Sequence, residues 1–155
     1  MKSNTFTTLD GSGMRIAIVA ARFNQELTDA MTTDCVNALR ACNLDDVNIV
    51  TVRVPGSFEL PVAAVVLAAQ HEFDAIICLG VLIKGDTKHD QYIADACANG
   101  ITRVSIDNML PVLFGVLTTE NREQAETRAL GEQKKGWEAG MSAVETVLAM
   151  RNIEK

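Results

Sequence analysis

The sequence lacks the features that mark membrane, secreted and nucleic-acid-binding proteins. No stretch reaches the roughly 18 uncharged apolar residues of a membrane-spanning helix, and residues 1–10 are Thr-rich without the apolar centre of a secretory signal. Acidic residues outnumber basic ones by 20 to 14, which gives a net charge of −6, and there is no basic run. We therefore expect a cytoplasmic protein that binds neither membranes nor nucleic acid.

Cysteine and aromatic residues are also scarce. The four cysteines (Cys35, Cys42, Cys78 and Cys97) show no C-x-x-C spacing and no paired histidine, which disfavours disulfide and zinc sites. Small buried apolar residues in a reducing compartment fit this usage better. The chain has only five Phe, one Tyr and one Trp, so the positions of these residues are informative.

Apolar residues are plentiful, at 48% of 155 residues, which is enough to form the core of one domain. β-Branched and apolar runs predict strands at 15–21, 47–54, 75–83 and 111–119. Apolar residues at helical spacing predict helices at 25–42, 61–70, 89–108, 122–130 and 137–150, with Pro61 in the first turn of the second helix and Asn121 as the cap of the fourth. This β-α-β-α-β-α-β-α-α order requires a doubly wound α/β fold with a parallel sheet and helices on both faces. We expect an N-terminal arm at 1–13 and a single domain at 14–155, and we expect the very apolar second helix to be well covered.

The turn after the third predicted strand is the strongest candidate site. In a parallel sheet, ligands bind in the crevice beyond the carboxyl ends of the strands. The turn Lys84–Thr87 precedes a helix that begins near His89, and free N–H groups with the positive end of the helix dipole suit a phosphate there. The His89 side chain changes charge near neutral pH. A glycine turn and a helix-capping histidine are also common without any such function.

The other turns on this edge carry groups that suit a planar, polar ligand. Phe23 and Phe58 stand in loops, where an aromatic ring either stacks on a ligand or folds back under its own loop. Ser57 and Glu59 can hydrogen-bond a polyol or a ring edge, although Glu59 also suits the start of a helix. Asn24 is a candidate N-cap for the first helix, and residues 118–120 follow the fourth strand.

Several segments, in this order, carry a resemblance to a known family. Arg22-Phe-Asn24, Val54-Pro-Gly-Ser-Phe-Glu-Leu-Pro61, Gly80-Val-Leu-Ile-Lys-Gly-Asp-Thr-Lys-His89, Pro111-Val-Leu-Phe-Gly-Val-Leu-Thr-Thr-Glu-Asn121, Glu123-Gln-Ala125 and Arg128-Ala129 are similar to lumazine synthase (6,7-dimethyl-8-ribityllumazine synthase) over about residues 14–150. The resemblance implies a flavodoxin-like three-layer sandwich with a four-stranded parallel sheet. It also implies a homopentamer, or a shell of twelve pentamers, with riboflavin synthase as a partner protein.

The resemblance further implies a transferase of riboflavin biosynthesis with no cofactor and no metal. The reaction would condense 5-amino-6-ribitylaminouracil with 3,4-dihydroxy-2-butanone 4-phosphate to give 6,7-dimethyl-8-ribityllumazine, phosphate and water. His89 would be the catalytic proton carrier. The implied substrate-binding residues fall into four groups: Phe23, Val81, Leu82 and Ile83 at the pyrimidine; Ser57, Phe58 and Glu59 at the ribityl chain; Gly85, Asp86 and Thr87 at the phosphate; and Phe114, Arg128 and Lys135 from the neighbouring subunit, with Arg128 on the phosphate and Lys135 near the pyrimidine.

The chain departs from the family pattern at two places. The position after the histidine is usually aromatic but is Asp90 here. The linker 130–136 is one residue shorter than usual, which leaves Lys134 or Lys135 as the matching lysine, and the position next to Gly136 favours Lys135. Because this linker helps to decide whether pentamers join into shells, the sequence leaves pentamer, decamer and 60-subunit shell open.

Two other functions compete with this prediction. A flavodoxin-like flavin carrier would place a Ser/Thr/Gly-rich phosphate loop after the first strand, where this chain has Arg22-Phe-Asn-Gln25. Tightly bound FMN would favour that carrier. A catalytically inactive scaffold of the same fold is disfavoured because every matched polar residue is present.

Overall fold

A computed structural model describes residues 9–155 of the chain. The greater part of the predicted N-terminal arm, residues 1–8, lies outside the described residues. Four strands are present: β1 (Ile16–Ala21), β2 (Ile49–Val54), β3 (Ala75–Ile83) and β4 (Val112–Thr119). Five α-helices connect and follow them: α1 (Gln25–Ala41), α2 (Leu60–Ala68), α3 (His89–Asn108), α4 (Arg122–Ala129) and α5 (Lys135–Ile153).

The four strands form one parallel sheet in the order β2-β1-β3-β4. Every residue of β1 is buried, and so is every residue of β3 except Ile83. This burial on both faces explains why these two strands are continuous apolar runs without alternation. The sequence-based prediction of a parallel α/β sandwich is confirmed.

Two apolar cores separate the sheet from its two helical layers. The larger core packs α1, α4 and α5 on one face, and the smaller core packs α2 and α3 on the other face. In the larger core, Gly136 of α5 lies directly against the backbone of Met31, where a Cβ atom would collide with the Met31 carbonyl. The smaller core contains Cys78 and Cys97, and all four cysteines are buried as free thiols.

Three local features differ from the predictions. Residues 46–48 form a 3₁₀ turn, in which Asn48 N–H donates to Asp45 O (2.9 Å), so β2 begins two residues later than expected. Helix α5 is longer than predicted at both ends. The expectation that the second helix is well covered is wrong for a single chain, because one face of α2 is exposed: Val62 (61%), Val65 (48%) and Val66 (59%).

The described part of the chain contains no helix that is both long and apolar enough to cross a membrane. Within residues 9–155, no three His, Cys, Asp or Glu side chains are grouped closely enough to hold a metal ion.

Candidate functional site

A cavity of about 710 Å³ lies at the carboxyl edge of the sheet. The turns after β1, β2 and β3 and the first turn of α3 form its wall. Ten of the predicted site residues line it: Phe23, Ser57, Phe58, Glu59, Val81, Leu82, Ile83, Gly85, Thr87 and His89. The cavity therefore brings the predicted ring-stacking, anion-binding and proton-transfer groups of three separate turns to one place.

Four predicted residues do not line this cavity. Asp86 is exposed in the turn between Gly85 and Thr87. Phe114 lies in β4 with 47% of its surface exposed, and Arg128 is exposed near the end of α4. Lys135 begins α5, and its ammonium group pairs with Glu138 Oε2 at 2.8 Å. A single chain therefore assembles part of the predicted residue set.

The turn after β1 presents an aromatic ring to the cavity. Arg22 N–H donates to Val54 O (2.8 Å), and Phe23 N–H donates to Pro55 O (3.0 Å), so the backbone of this turn is bound to the end of β2. The Phe23 side chain is 71% exposed. Phe58, in the next turn, is 61% exposed. Neither ring folds back under its own loop, and both remain free to contact a ligand.

The predicted N-cap role of Asn24 is wrong as far as its side chain is concerned. Asn24 adopts a left-handed backbone conformation (φ 59°, ψ 48°), and its side chain makes no capping hydrogen bond to α1. Its Nδ2 group donates to Val81 O of β3 at 2.9 Å instead. The side chain therefore ties the turn after β1 to strand β3.

The turn after β2 is fixed from both sides. Glu59 Oε2 accepts the Gly56 N–H at 2.9 Å, and Glu59 N–H donates to Gly56 O at 3.2 Å. Ser57 is buried, and the Cys97 thiol of α3 donates to Ser57 O at 2.9 Å. The Glu59 carboxylate thus satisfies a backbone donor at the start of the helical segment, which agrees with the expectation that Glu59 suits the start of a helix. It also lines the cavity.

The turn after β3 leads directly into the first turn of helix α3. Gln91 N–H and Tyr92 N–H donate to Lys88 O (3.1 and 3.2 Å), which are the first bonds of helix α3. N–H groups ahead of these have no acceptor within the helix, and the dipole adds partial positive charge there. His89 N–H donates to Thr87 Oγ1 (3.4 Å), which leaves the Thr87 hydroxyl proton available to another acceptor.

The turn after β4 does not line the cavity. Glu120 of this turn pairs with Lys84 (Nζ to Oε2, 3.0 Å), and this hydrogen bond raises the pKa of the Lys84 ammonium group. The Lys84 charge is thereby partly balanced within the chain. The prediction that all four turns share one site holds, within the described residues, for the first three.

The cavity also includes residues that the sequence analysis did not predict to bind substrate. These are Asn24, Pro55, Gly56, Asp90, Tyr92 and Ile93. Tyr92 was within reach of sequence reasoning, since it is the only tyrosine and follows His89 by three residues on a predicted helix, which places both on one face.

Comparisons with known proteins agree on one family. The model of the 6,7-dimethyl-8-ribityllumazine synthase family matches residues 13–151. A protein of that name from Kineococcus radiotolerans is 46% identical over 149 residues, which cover 94% of this chain and 90% of the relative. The synthase from Paracidovorax citrulli is 44% identical over 141 residues (91% and 90%), and that from Microcystis aeruginosa is 40% identical over 150 residues (94% and 83%).

Proposed function

The chain belongs to the 6,7-dimethyl-8-ribityllumazine synthase family, and we propose that its two substrates meet in the cavity at the carboxyl edge of the sheet. The chain is an enzyme of riboflavin biosynthesis that condenses 5-amino-6-ribitylaminouracil with 3,4-dihydroxy-2-butanone 4-phosphate. The observation that carries the site proposal is that Phe23, the turn before α3 and His89 all line the same cavity.

The pyrimidine occupies the apolar part of this cavity. The exposed Phe23 ring provides a flat surface for stacking, and Val81, Leu82 and Ile83 form the floor at the end of β3. The ribityl chain extends along the turn after β2, where Ser57, Phe58 and Glu59 lie. Glu59 uses one carboxylate oxygen for the Gly56 N–H, so its second oxygen remains available to a ribityl hydroxyl.

The phosphate of the four-carbon substrate binds at the start of α3. The N–H groups of the turn, the Thr87 hydroxyl and the positive end of the helix dipole favour an anion there. Gly85 supports this assignment, because a Cβ atom at that position would have no neighbour within 4 Å and the backbone is open to a ligand. Asp86 contributes through its backbone, since its side chain lies outside the cavity.

His89 moves protons in the reaction. Imine formation between the 5-amino group and the ketone releases one water. Removal of a proton from the carbon next to the imine then lets the carbon–oxygen bond to phosphate break, and phosphate leaves. The enol that remains becomes a ketone by a proton shift, and the ribitylamino nitrogen attacks this carbonyl carbon and closes the ring with loss of a second water. Each of these steps moves a proton to or from carbon, nitrogen or oxygen. The exposed imidazole is on the first residue of α3, directly after the phosphate-binding turn, and histidine is the side chain most often used for proton transfer in enzymes. Holding both substrates in one cavity supplies a further part of the rate, worth about 7–11 kcal/mol in favourable cases.

A neighbouring subunit completes the site, and the active assembly is a homopentamer or a shell of pentamers. Phe114, Arg128 and Lys135 lie outside their own chain's cavity, with Phe114 and Arg128 exposed. The uncovered apolar face of α2 adds surface that is better buried against another copy than left in water. In this assembly Arg128 binds the phosphate through two N–H groups, and Lys135 lies near the pyrimidine.

The cellular setting follows from the reaction. We place the protein in the cytoplasm, where its free buried thiols remain reduced. Riboflavin synthase, which consumes the lumazine, is the proposed partner protein.

Mixing the purified protein with both substrates tests the function directly. We expect a green-fluorescent lumazine and one phosphate released for each lumazine formed. Sedimentation of the same sample measures the assembly, where a pentamer or larger particle is expected. A protein that forms no lumazine but retains FMN through purification would be a flavin carrier, and a monomer with full activity would contradict the shared site.

A further inference from the structure

The side chain of Asn24 donates a hydrogen bond to the Val81 carbonyl oxygen, beyond the last residue pair between β1 and β3. The last residue pair between β1 and β3 joins Ala20 to Leu79, whereas β3 continues to Ile83. Val81 is 1% exposed, so its carbonyl oxygen is shielded from most water and needs a donor from the protein. Asn24 Nδ2 supplies that donor at 2.9 Å, across 57 positions of sequence.

The backbone of Asn24 is suited to this contact. Its φ of 59° lies in the left-handed region, which asparagine tolerates better than most residues. The reversal follows directly after Phe23, whose side chain is 71% exposed. The position of that ring therefore depends on how firmly the turn is bound to the strands behind it.

Building on the proposed function, we propose that Asn24 is a positioning residue for the pyrimidine substrate. By donating to Val81 O, its side chain holds the turn that carries Phe23 against the end of β3. The bond thereby fixes the distance between the stacking ring of Phe23 and the floor of the pyrimidine pocket. It makes no contact with the phosphate-binding turn at Gly85–Thr87. Loss of the bond should affect the pyrimidine far more than the sugar phosphate.

Two substitutions separate the hydrogen bond from the backbone requirement. Asn24→Gly permits the left-handed conformation but removes the amide. Asn24→Asp retains the side-chain shape but replaces the donor with a carboxylate oxygen that faces a carbonyl oxygen. Asn43→Gly is the matched control, because Asn43 is also left-handed (φ 67°) and follows the other end of α1, about 25 Å away along a 17-residue helix.

Hydrogen exchange provides a readout that does not require activity. The N–H groups of Arg22 and Phe23 donate to Val54 O and Pro55 O, so their exchange rates report how often the turn opens. Both Asn24 variants should exchange these amides faster than the wild type, and Asn43→Gly should not. Wild-type rates in Asn24→Gly and Asn24→Asp would overturn the positioning role, even if the protein proved to make no lumazine.

Steady-state kinetics test the effect on the substrates. A lost neutral hydrogen bond corresponds to about a 2- to 12-fold change in an equilibrium. We expect the KM for 5-amino-6-ribitylaminouracil to rise by that factor in both Asn24 variants, with the KM for the sugar phosphate changed less than twofold. Equal increases in both KM values, or no increase in either, would overturn the proposal. Absence of lumazine from the wild-type reaction would refute the proposed function instead, and the exchange data would still decide the role of Asn24.

Discussion

Replacing Gly80 with alanine tests how closely the floor of the cavity is fitted to the turn after β2. Gly80 lies in β3, and a Cβ atom built there would collide with Ser57 Oγ. The same Cβ would lie 3.3 Å from Ser57 Cβ and 3.4 Å from Leu60 Cδ1. The backbone of Ser57 cannot move away easily, because the residue is buried and its carbonyl oxygen accepts both the Cys97 thiol and the Leu60 N–H, so the hydroxyl would have to rotate within a buried site.

The expected cost follows from two opposing terms. Overpacking a close-packed site costs about 1–3 kcal/mol, and the lower entropy of the unfolded chain returns about 0.4–1 kcal/mol for a Gly→Ala change. We expect Gly80→Ala to lower the free energy of unfolding by roughly 0.5–2 kcal/mol. For a chain of this length each kcal/mol lowers the unfolding midpoint by about 2–4 °C.

A double-mutant cycle identifies the contact responsible. Ser57→Ala removes the colliding oxygen, so adding it to Gly80→Ala should recover at least about 0.5 kcal/mol relative to the sum of the single effects. Gly85→Ala is the stability control, because a Cβ there meets no atom within 4 Å. Only the entropy term then applies, so the free energy of unfolding should rise by about 0.4–1 kcal/mol.

The measurement is thermal or urea-induced unfolding at one fixed protein concentration, since the proposed assembly would make the midpoint concentration-dependent. Strictly additive single and double mutants would refute the proposed fit between Gly80 and Ser57, as would a Gly80→Ala protein as stable as the wild type.

Three further predictions address the site and the core. His89→Ala should slow turnover by about 10²–10⁴-fold with lumazine binding retained in a fluorescence titration, and an unchanged rate would remove His89 from proton transfer. Arg128→Ala should raise the KM of the sugar phosphate by about 10-fold or more with little change in the KM of the pyrimidine. Arg122→Ala is the control, because Arg122 is on the same helix but is ion-paired within its own chain. Equal increases in both KM values for Arg128→Ala would contradict the phosphate role. Burial raises the pKa of the Cys35 and Cys78 thiols from 9.0 to about 12. Below pH 9 both thiols are neutral in the folded and the unfolded chain, and the folded state keeps its full stability. Between pH 9 and 12 the thiols ionise only in the unfolded chain, so the free energy of unfolding falls as the pH rises. Urea unfolding should show a smaller free energy at pH 10 than at pH 8, and replacing both thiols with alanine should reduce that pH dependence.

Much of the architecture followed from patterns that are local in the chain. The predicted bounds of the third strand and the following helix, 75–83 and 89–108, match the structure, because a doubly buried parallel strand is a continuous apolar run that ends sharply at a polar turn. The start of β2 was placed wrongly because the β-branched Val47 suits a strand, whereas the 3₁₀ hydrogen bond from Asn48 to Asp45 ends the loop two residues later.

The residues of the cavity were partly predictable for a topological reason. In a parallel sheet, the turns that follow the strands lie on one edge, so the sequence alone predicts that Phe23, Ser57 and His89 lie near one another. Sequence could not show that the turn after β4 stays outside the cavity, since that depends on strand positions in three dimensions.

The sequence by itself determined the strand and helix order, the parallel sheet and the family, because apolar periodicity and motif spacing are properties of neighbouring residues. Only the tertiary structure decided that Asn24 donates to β3 rather than capping α1, that Phe23 and Phe58 are exposed, and that the apolar α2 keeps an open face. These outcomes depend on which groups from distant parts of the chain reach one another, and a buried carbonyl such as that of Val81 takes whichever donor the fold brings to it.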